Sequence, residues 1–143
     1  MQIKEIMTRN VEVITPDTSL TEAAEKMRDL DVGSLPVCDG LRLQGMLTDR
    51  DITIRATAEG RDPTATSAAD VMTAEIFYCY DDQAVEEAAQ VMESKQIRRL
   101  PIVNRDKRLV GIISLGDLAV DTGEKKLAGE ALTEISRPAQ PQR

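Results

Sequence analysis

The sequence predicts an α+β fold of two similar units, each ordered strand, helix, strand, strand, helix, related by a pseudo-two-fold axis. Three observations carry this reading. The chain repeats itself: Ile3–Ile54 contains IKEIMT, SLTEAAEKM, VGSLPV and LQGMLTDRDI, and Ala68–Ala119 answers with AADVMT, AVEEAAQVM, IRRLPI and LVGIISLGDLA. Met7, Thr8, Ala23, Ala24, Met27, Leu35 and Pro36 return 65 positions later as Met72, Thr73, Ala88, Ala89, Met92, Leu100 and Pro101. One added residue shifts the offset to 66, and Leu43, Gly45 and Asp51 return as Leu109, Gly111 and Asp117. Within each copy, apolar residues at helical spacing alternate with short apolar runs bounded by turn residues, as expected of helices laid on a small sheet. The third observation is compositional. With 41% hydrophobic and 30% charged residues, 143 residues suit one compact body. Only Phe77, Tyr78 and Tyr80 are aromatic, so the core is aliphatic and rich in Met and Ala.

Each copy opens on a short apolar-spaced piece, Ile3, Ile6 and Met7 in the first, Ala69 and Met72 in the second. Ser67 with Asp70 three residues on has the pattern of a capping box. A short strand follows, Val11–Ile14 and Ile76–Tyr80, and alternation along the second turns Phe77 away from Tyr78 and Tyr80, toward the core. Asp17-Thr18-Ser19 and Asp81-Asp82 supply helix N-caps. Leu20, Ala23, Ala24, Met27 and Leu30 then form one apolar stripe, with Val85, Ala88, Ala89 and Met92 as its counterpart. Gly33 ends the first helix. The strands Ser34–Cys38 and Arg99–Val103 contain Pro36 and Pro101, which have no N–H to donate. These strands therefore lie at an edge or give up one ladder bond. Asp39-Gly40 and Asn104-Arg105-Asp106 are turns leading into hairpin strands, Arg42–Thr48 and Arg108–Ser114. TDRD from Thr48 and SLGD from Ser114 each start a closing helix.

Between the copies, Glu59–Ser67 is polar and reads as a linker. Leu127, Ala128, Ala131, Leu132 and Ile135 share one helical face, and the proline-rich polar residues after Ser136 are expected to be disordered. The organisation is thus residues 1–58 and 68–123 as the two units, 59–67 between them, and 124–143 as an amphipathic helix and tail.

Composition excludes several functions. The net charge of −7, from 18 basic and 25 acidic residues, repels phosphate backbones and disfavours nucleic acid as a partner. No apolar run is long enough to span a membrane and no signal-peptide order is present, so a cytoplasmic location is expected. Histidine is absent, which removes the commonest general base and metal ligand. Two cysteines without a CxxC make a poor zinc site. Cys38 and Cys79 lie on or beside inner strands and read as buried small hydrophobes, the alternative being a redox pair or a soft-metal site. Asp49 and Asp51 are two apart at a helix start and point in different directions, which disfavours acid–base catalysis. The chain is expected not to be an enzyme.

The motif with chemical content is G-x-x-[ST]-x-x-D, present as Gly45, Thr48, Asp51 and as Gly111, Ser114, Asp117. A hydroxyl at a helix start sits where free N–H groups favour an anion. A carboxylate three residues on can accept both hydroxyls of a ribose. The plainer alternative is that Thr48 and Ser114 are ordinary N-caps.

The MT start, S-L-x-E-A-A-x-x-M, L-P-V and G-M-L-T-D-R-D, in this order and repeated, resemble a tandem pair of CBS domains, a Bateman module, over about Ile3–Val120. Short stand-alone bacterial pairs of the hypoxic- or stress-response type are the most similar. The resemblance implies two clefts between the repeats that bind AMP, ADP, ATP or S-adenosylmethionine. It implies phosphate and ribose contacts at Thr48 and Asp51 in one repeat and Ser114 and Asp117 in the other. Thr15 and Tyr80 would line the base, flanked by Val37 and Ile102. It also implies a homodimer formed through exposed helices, and an effector protein as a further partner.

The copies differ where a ligand would be chosen. Arg98 and Arg99 replace Gly33 and Ser34, and Tyr80 replaces Thr15. Arg99, within a local basic stretch, suits a phosphate-bearing ligand, although a solvated strand surface accounts for it as well. Tyr80 either stacks on a base or fills its pocket. The expected function is a regulatory module sensing an adenine nucleotide or related adenosyl ligand. The alternative is a ligand-free interaction protein with occluded clefts.

Overall fold

A computed structural model of the chain describes residues 1–121 and 125–136. Its helices are α1 (Leu20–Leu30), α2 (Asp49–Asp51, continuing as a π-helical turn, Ile52–Thr57), α3 (Ala68–Val71), α4 (Val85–Lys95), α5 (Leu115–Asp121) and α6 (Lys125–Ile135). Its strands are β1 (Ser34–Asp39), β2 (Arg42–Thr48), β3 (Cys79–Tyr80), β4 (Arg99–Val103) and β5 (Leu109–Ser114). The fold is α+β, as expected. The residues after Ser136, expected to be disordered, lie outside the described ones.

The chain condenses into two compact units, and these are not the two sequence repeats. One contains Met1–Val11, Phe77–Asp106 and the described residues from Val110 onward; the other contains Glu12–Ile76 and Lys107–Leu109. The opening segment of each repeat has been exchanged. In the first unit Thr8 and Ile112 donate N–H bonds to each other's carbonyls at 2.8 and 3.0 Å. In the second, Met46 and Thr73 do the same at 3.0 and 2.9 Å. Two glycines make the approach possible. A Cβ on Gly111 would stand 2.7 Å from Met7 Sδ and 2.8 Å from the Thr8 carbonyl oxygen; on Gly45 it would meet the Thr73 carbonyl oxygen at 2.7 Å.

The exchange also caps the long helices. Leu20 donates its N–H to the Thr66 carbonyl and Val85 donates to that of Met1, both at 3.0 Å, so each helix start is satisfied by the segment arriving from the other repeat. At α1 Ser19 adds its side chain, accepting from the Glu22 N–H at 3.2 Å. At α4 Ala84 holds the cap position and Asp81-Asp82 do not cap, because the helix starts at Val85 and leaves both acids upstream of the cap. Gly33 does not end α1; Asp31 and, 65 residues on, Gln96 take the left-handed position, at φ 55° and 54°.

Strands before the long helices are shorter than expected. Val11–Ile14 reduces to one parallel bridge, Ile14 to Val37, and Ile76–Tyr80 to β3. Asn10, at φ 55°, turns the chain just before the first of them. In the three-stranded sheet β3–β4–β5, β4 is central, so Pro101 is in an interior strand and surrenders a ladder bond. Phe77 is not core: it is 37% exposed, with Lys95 Nζ 4.6 Å from its ring centroid.

Each unit has its own aliphatic core. Ile3, Ile6 and Met7 pack with Val85, Ala88, Ala89, Met92 and Leu100 in one; Ala68 and Val71 pack with Leu20, Ala23, Met27 and Leu35 in the other. The α1 stripe is narrower than expected, since Ala24 and Leu30 are exposed, whereas its counterpart Ala89 is wholly buried. The difference is α6, which sends Ala131 and Ile135 into the α4 core. No matching helix exists for α1 among the described residues.

Candidate functional site

Both recurring corners form. In the first, Thr48 Oγ1 accepts from the Asp51 N–H and Asp51 Oδ2 accepts from the Thr48 N–H, each at 3.0 Å. In the second, Ser114 Oγ accepts from Asp117 at 3.1 Å and Asp117 Oδ2 accepts from Ser114 at 2.8 Å. Each is a reciprocal capping box in which Asp replaces the usual Glu, so the shorter side chain draws the carboxylate tight against the turn. Asp51 is 7% exposed and Asp117 is partly exposed.

The neighbouring strand end is tied to each corner in the same way. Asp49 donates its N–H to the Gly33 carbonyl at 2.9 Å, and Leu115 donates to that of Arg98 at 3.0 Å. Arg99 therefore sits beside the Ser114 turn as Ser34 does beside Thr48, an antiparallel pair in the β1–β2 register. Arg99 Nε is buried with no acceptor among the described residues.

The base-side positions differ more. Thr15 is exposed and turned into its own loop, where Oγ1 donates to Asp17 and holds that carboxyl below the usual carboxylate range. Tyr80 pairs in parallel with Val103, next to Ile102. Its ring is covered by the Arg105 guanidinium, 4.1 Å from the centroid, and meets Tyr78 edge-on at 5.8 Å. Asp82 grips Arg105 in a bidentate pair at 2.7 and 2.9 Å, which lowers the pKa of the Asp82 carboxyl. Val37 and Ile102 are fully buried, their side chains within the two cores.

Sequence reasoning missed the contacts of two cations. Arg105 and Asp82 are 23 residues apart, with no local signal to join them. Arg55, with Nε 3.8 Å from Asp51 Oδ1, was legible as an i,i+4 pair on a helix.

Cys38 and Cys79 are free and buried. Burial pushes both thiols up to about 11, with Glu87 adding to the effect at Cys79. A protonated thiol is a poor nucleophile and a poor metal ligand. Both are therefore expected to stay unmodified by iodoacetamide at pH 8 in the native protein and to react within minutes in guanidinium, read by mass spectrometry. Because the folded thiols titrate higher than unfolded ones, their contribution to stability is full below about pH 9 and is lost as pH rises toward 11.

The CBS-domain family pattern matches residues 3–56 and 68–120. The chain belongs to the CBS-domain family and is a tandem CBS pair. It is 46% identical over 134 residues to the CBS domain-containing protein YhcV of Bacillus subtilis, covering 94% of each chain. It is 41% identical over 117 residues to Hypoxic response protein 1 of Mycobacterium tuberculosis, covering 81% of each. These close relatives are stand-alone CBS proteins without catalytic domains. The solved structure of Hypoxic Response Protein I, with two coordinated zinc ions, superposes with a TM-score of 0.77 at 40% identity, covering 83% of this chain and 97% of that one. The chain has no histidine, and among the described residues no three Cys, Asp or Glu side chains converge. CBSX2 in complex with AMP superposes with a TM-score of 0.75 at 27% identity, covering 87% of this chain and 98% of that one. Among the described residues no helix is long and apolar enough to cross a membrane.

Proposed function

We propose that this CBS pair is a regulatory module that binds an adenine nucleotide or a related adenosyl ligand and transmits occupancy to an effector protein. The observation that carries the reading is the duplicated corner. In each unit a hydroxyl and a carboxylate are locked together across one helical turn, at spacings that suit a phosphate and a ribose diol. In this reading Thr48 and Ser114 face phosphate, Asp51 and Asp117 stand at the two ribose positions, Thr15 and Tyr80 stand beside the base with Val37 and Ile102 behind them, and Arg99 meets negative charge. The AMP complex of CBSX2 supports the ligand class. Signalling follows from differential affinity: a ligand that binds one arrangement better raises its population. The working form is a cytoplasmic homodimer.

Titration calorimetry of the full chain with AMP, ADP, ATP and S-adenosylmethionine tests this. Saturable heat from at least one is expected, and no heat from any overturns the reading. A second reading, a ligand-free interaction protein, is favoured by Arg105, which covers the Tyr80 face on which a base would stack. Capture of the effector that is indifferent to added nucleotide would select it.

A further inference from the structure

The two corners are built alike but are not equally free. We infer that Asp117 is the diol acceptor of this chain and that Arg55 holds Asp51 out of that role, an inference that rests on the nucleotide reading above. A carboxylate that grips a vicinal diol must offer its outer oxygen to two hydroxyl donors. Asp51 Oδ2 is committed to the Thr48 N–H, and its Oδ1 faces Arg55 Nε at 3.8 Å. Arg55 is itself anchored, since Nη1 donates to the carbonyls of Val71 and Met72, each at 3.3 Å. A diol reaching Asp51 would displace an opposite charge that the chain already supplies and holds from both sides.

The second corner has no such occupant. Asp117 Oδ2 accepts from the Ser114 N–H, and no cation faces its other oxygen among the described residues. In the sequence the position matching Arg55, 66 residues on, is Asp121, an acidic residue type where the first repeat has a basic one. Arg99, where the first repeat has Ser34, stands at the start of β4 with its buried Nε lacking an acceptor among the described residues. A buried donor without an acceptor is costly until something supplies one. A carboxylate not engaged by a cation and a buried guanidinium Nε without an acceptor, both in the same unit, fit a molecule bearing a diol and a phosphate. The ligand class is thus a nucleoside phosphate rather than an uncharged nucleoside.

Calorimetric stoichiometry of the full chain with AMP and ATP tests the assignment. One site per chain is expected in the parent protein. Asp117→Asn, which keeps a side-chain oxygen for the cap, is expected to weaken binding about tenfold or more. Arg55→Gln, at a half-exposed position, is expected to raise the stoichiometry toward two. Adding Asp51→Asn to Arg55→Gln is expected to return it to one. Two equal sites in the parent, parental affinity in Asp117→Asn, or a stoichiometry that stays at one in Arg55→Gln overturns the inequality and leaves the nucleotide reading standing. No heat from the parent protein with either ligand overturns the nucleotide reading, and this inference with it.

Discussion

Gly111→Val should be the most damaging single substitution outside the cores. Even an alanine Cβ there would press to 2.8 Å on the Thr8 carbonyl, a backbone atom that cannot rotate away. Relief requires the opening segment to move off β5. That sacrifices the two Thr8–Ile112 bonds and loosens Ile3, Ile6 and Met7 in the core. Overpacking costs about 1–3 kcal/mol in well-packed sites, and valine at this contact belongs at or above the upper end. Gly45→Val should behave alike in the other unit, against the Thr73 carbonyl at 2.7 Å. Gly129→Ala is the contrasting substitution: nothing lies within 4 Å of a Cβ there, and relieving a glycine within α6 should add about 0.5–1 kcal/mol. Urea unfolding monitored by circular dichroism measures all three. A Gly111→Val protein with parental stability would show that the close approach is not needed.

Joint replacement of Asp51 and Asp117 by alanine should abolish nucleotide binding within the range calorimetry can read, a loss of about a hundredfold or more for a ligand held by a charged hydrogen-bond acceptor. Both corners also lose one arm of a capping box, at about 1 kcal/mol each. A fall in stability is therefore expected together with the loss of binding, and circular dichroism must show the protein folded before the calorimetry counts. A folded double variant with parental affinity would mean that the carboxylates serve only as caps.

Much of this was written in the local sequence. The stripe Leu20, Ala23, Met27, the strands around Leu35 and Leu100, and the Thr48–Asp51 and Ser114–Asp117 boxes depend on residues within a few positions of each other, where periodicity and capping chemistry act. What was hidden depends on distant pairing. Nothing near Met7 announces that it packs on Gly111, and nothing near Tyr80 announces Arg105. The misplacement of the α1 terminus has a local cause: Asp31, a residue that tolerates the left-handed region, took the position that Gly33 advertised. Ala24 and Ala89 occupy the same place in their repeats, yet one is exposed and one buried, because only α4 has a second helix laid over it.

The exchange of opening segments has a consequence for biosynthesis. Ile3 donates its N–H to the carbonyl of Gln83, and Thr8 finds its partner only at Ile112, so the opening segment is completed by residues synthesised much later. Such high contact order slows folding, because loop closure must precede the contacts that reward it. The first repeat cannot close its core until Ala68 and Val71 have been synthesised. Cut at the midpoint, each half would keep an opening segment with nowhere to dock and a strand with nothing laid on it. Two such halves could satisfy each other, and duplication within one chain secures that pairing at fixed stoichiometry.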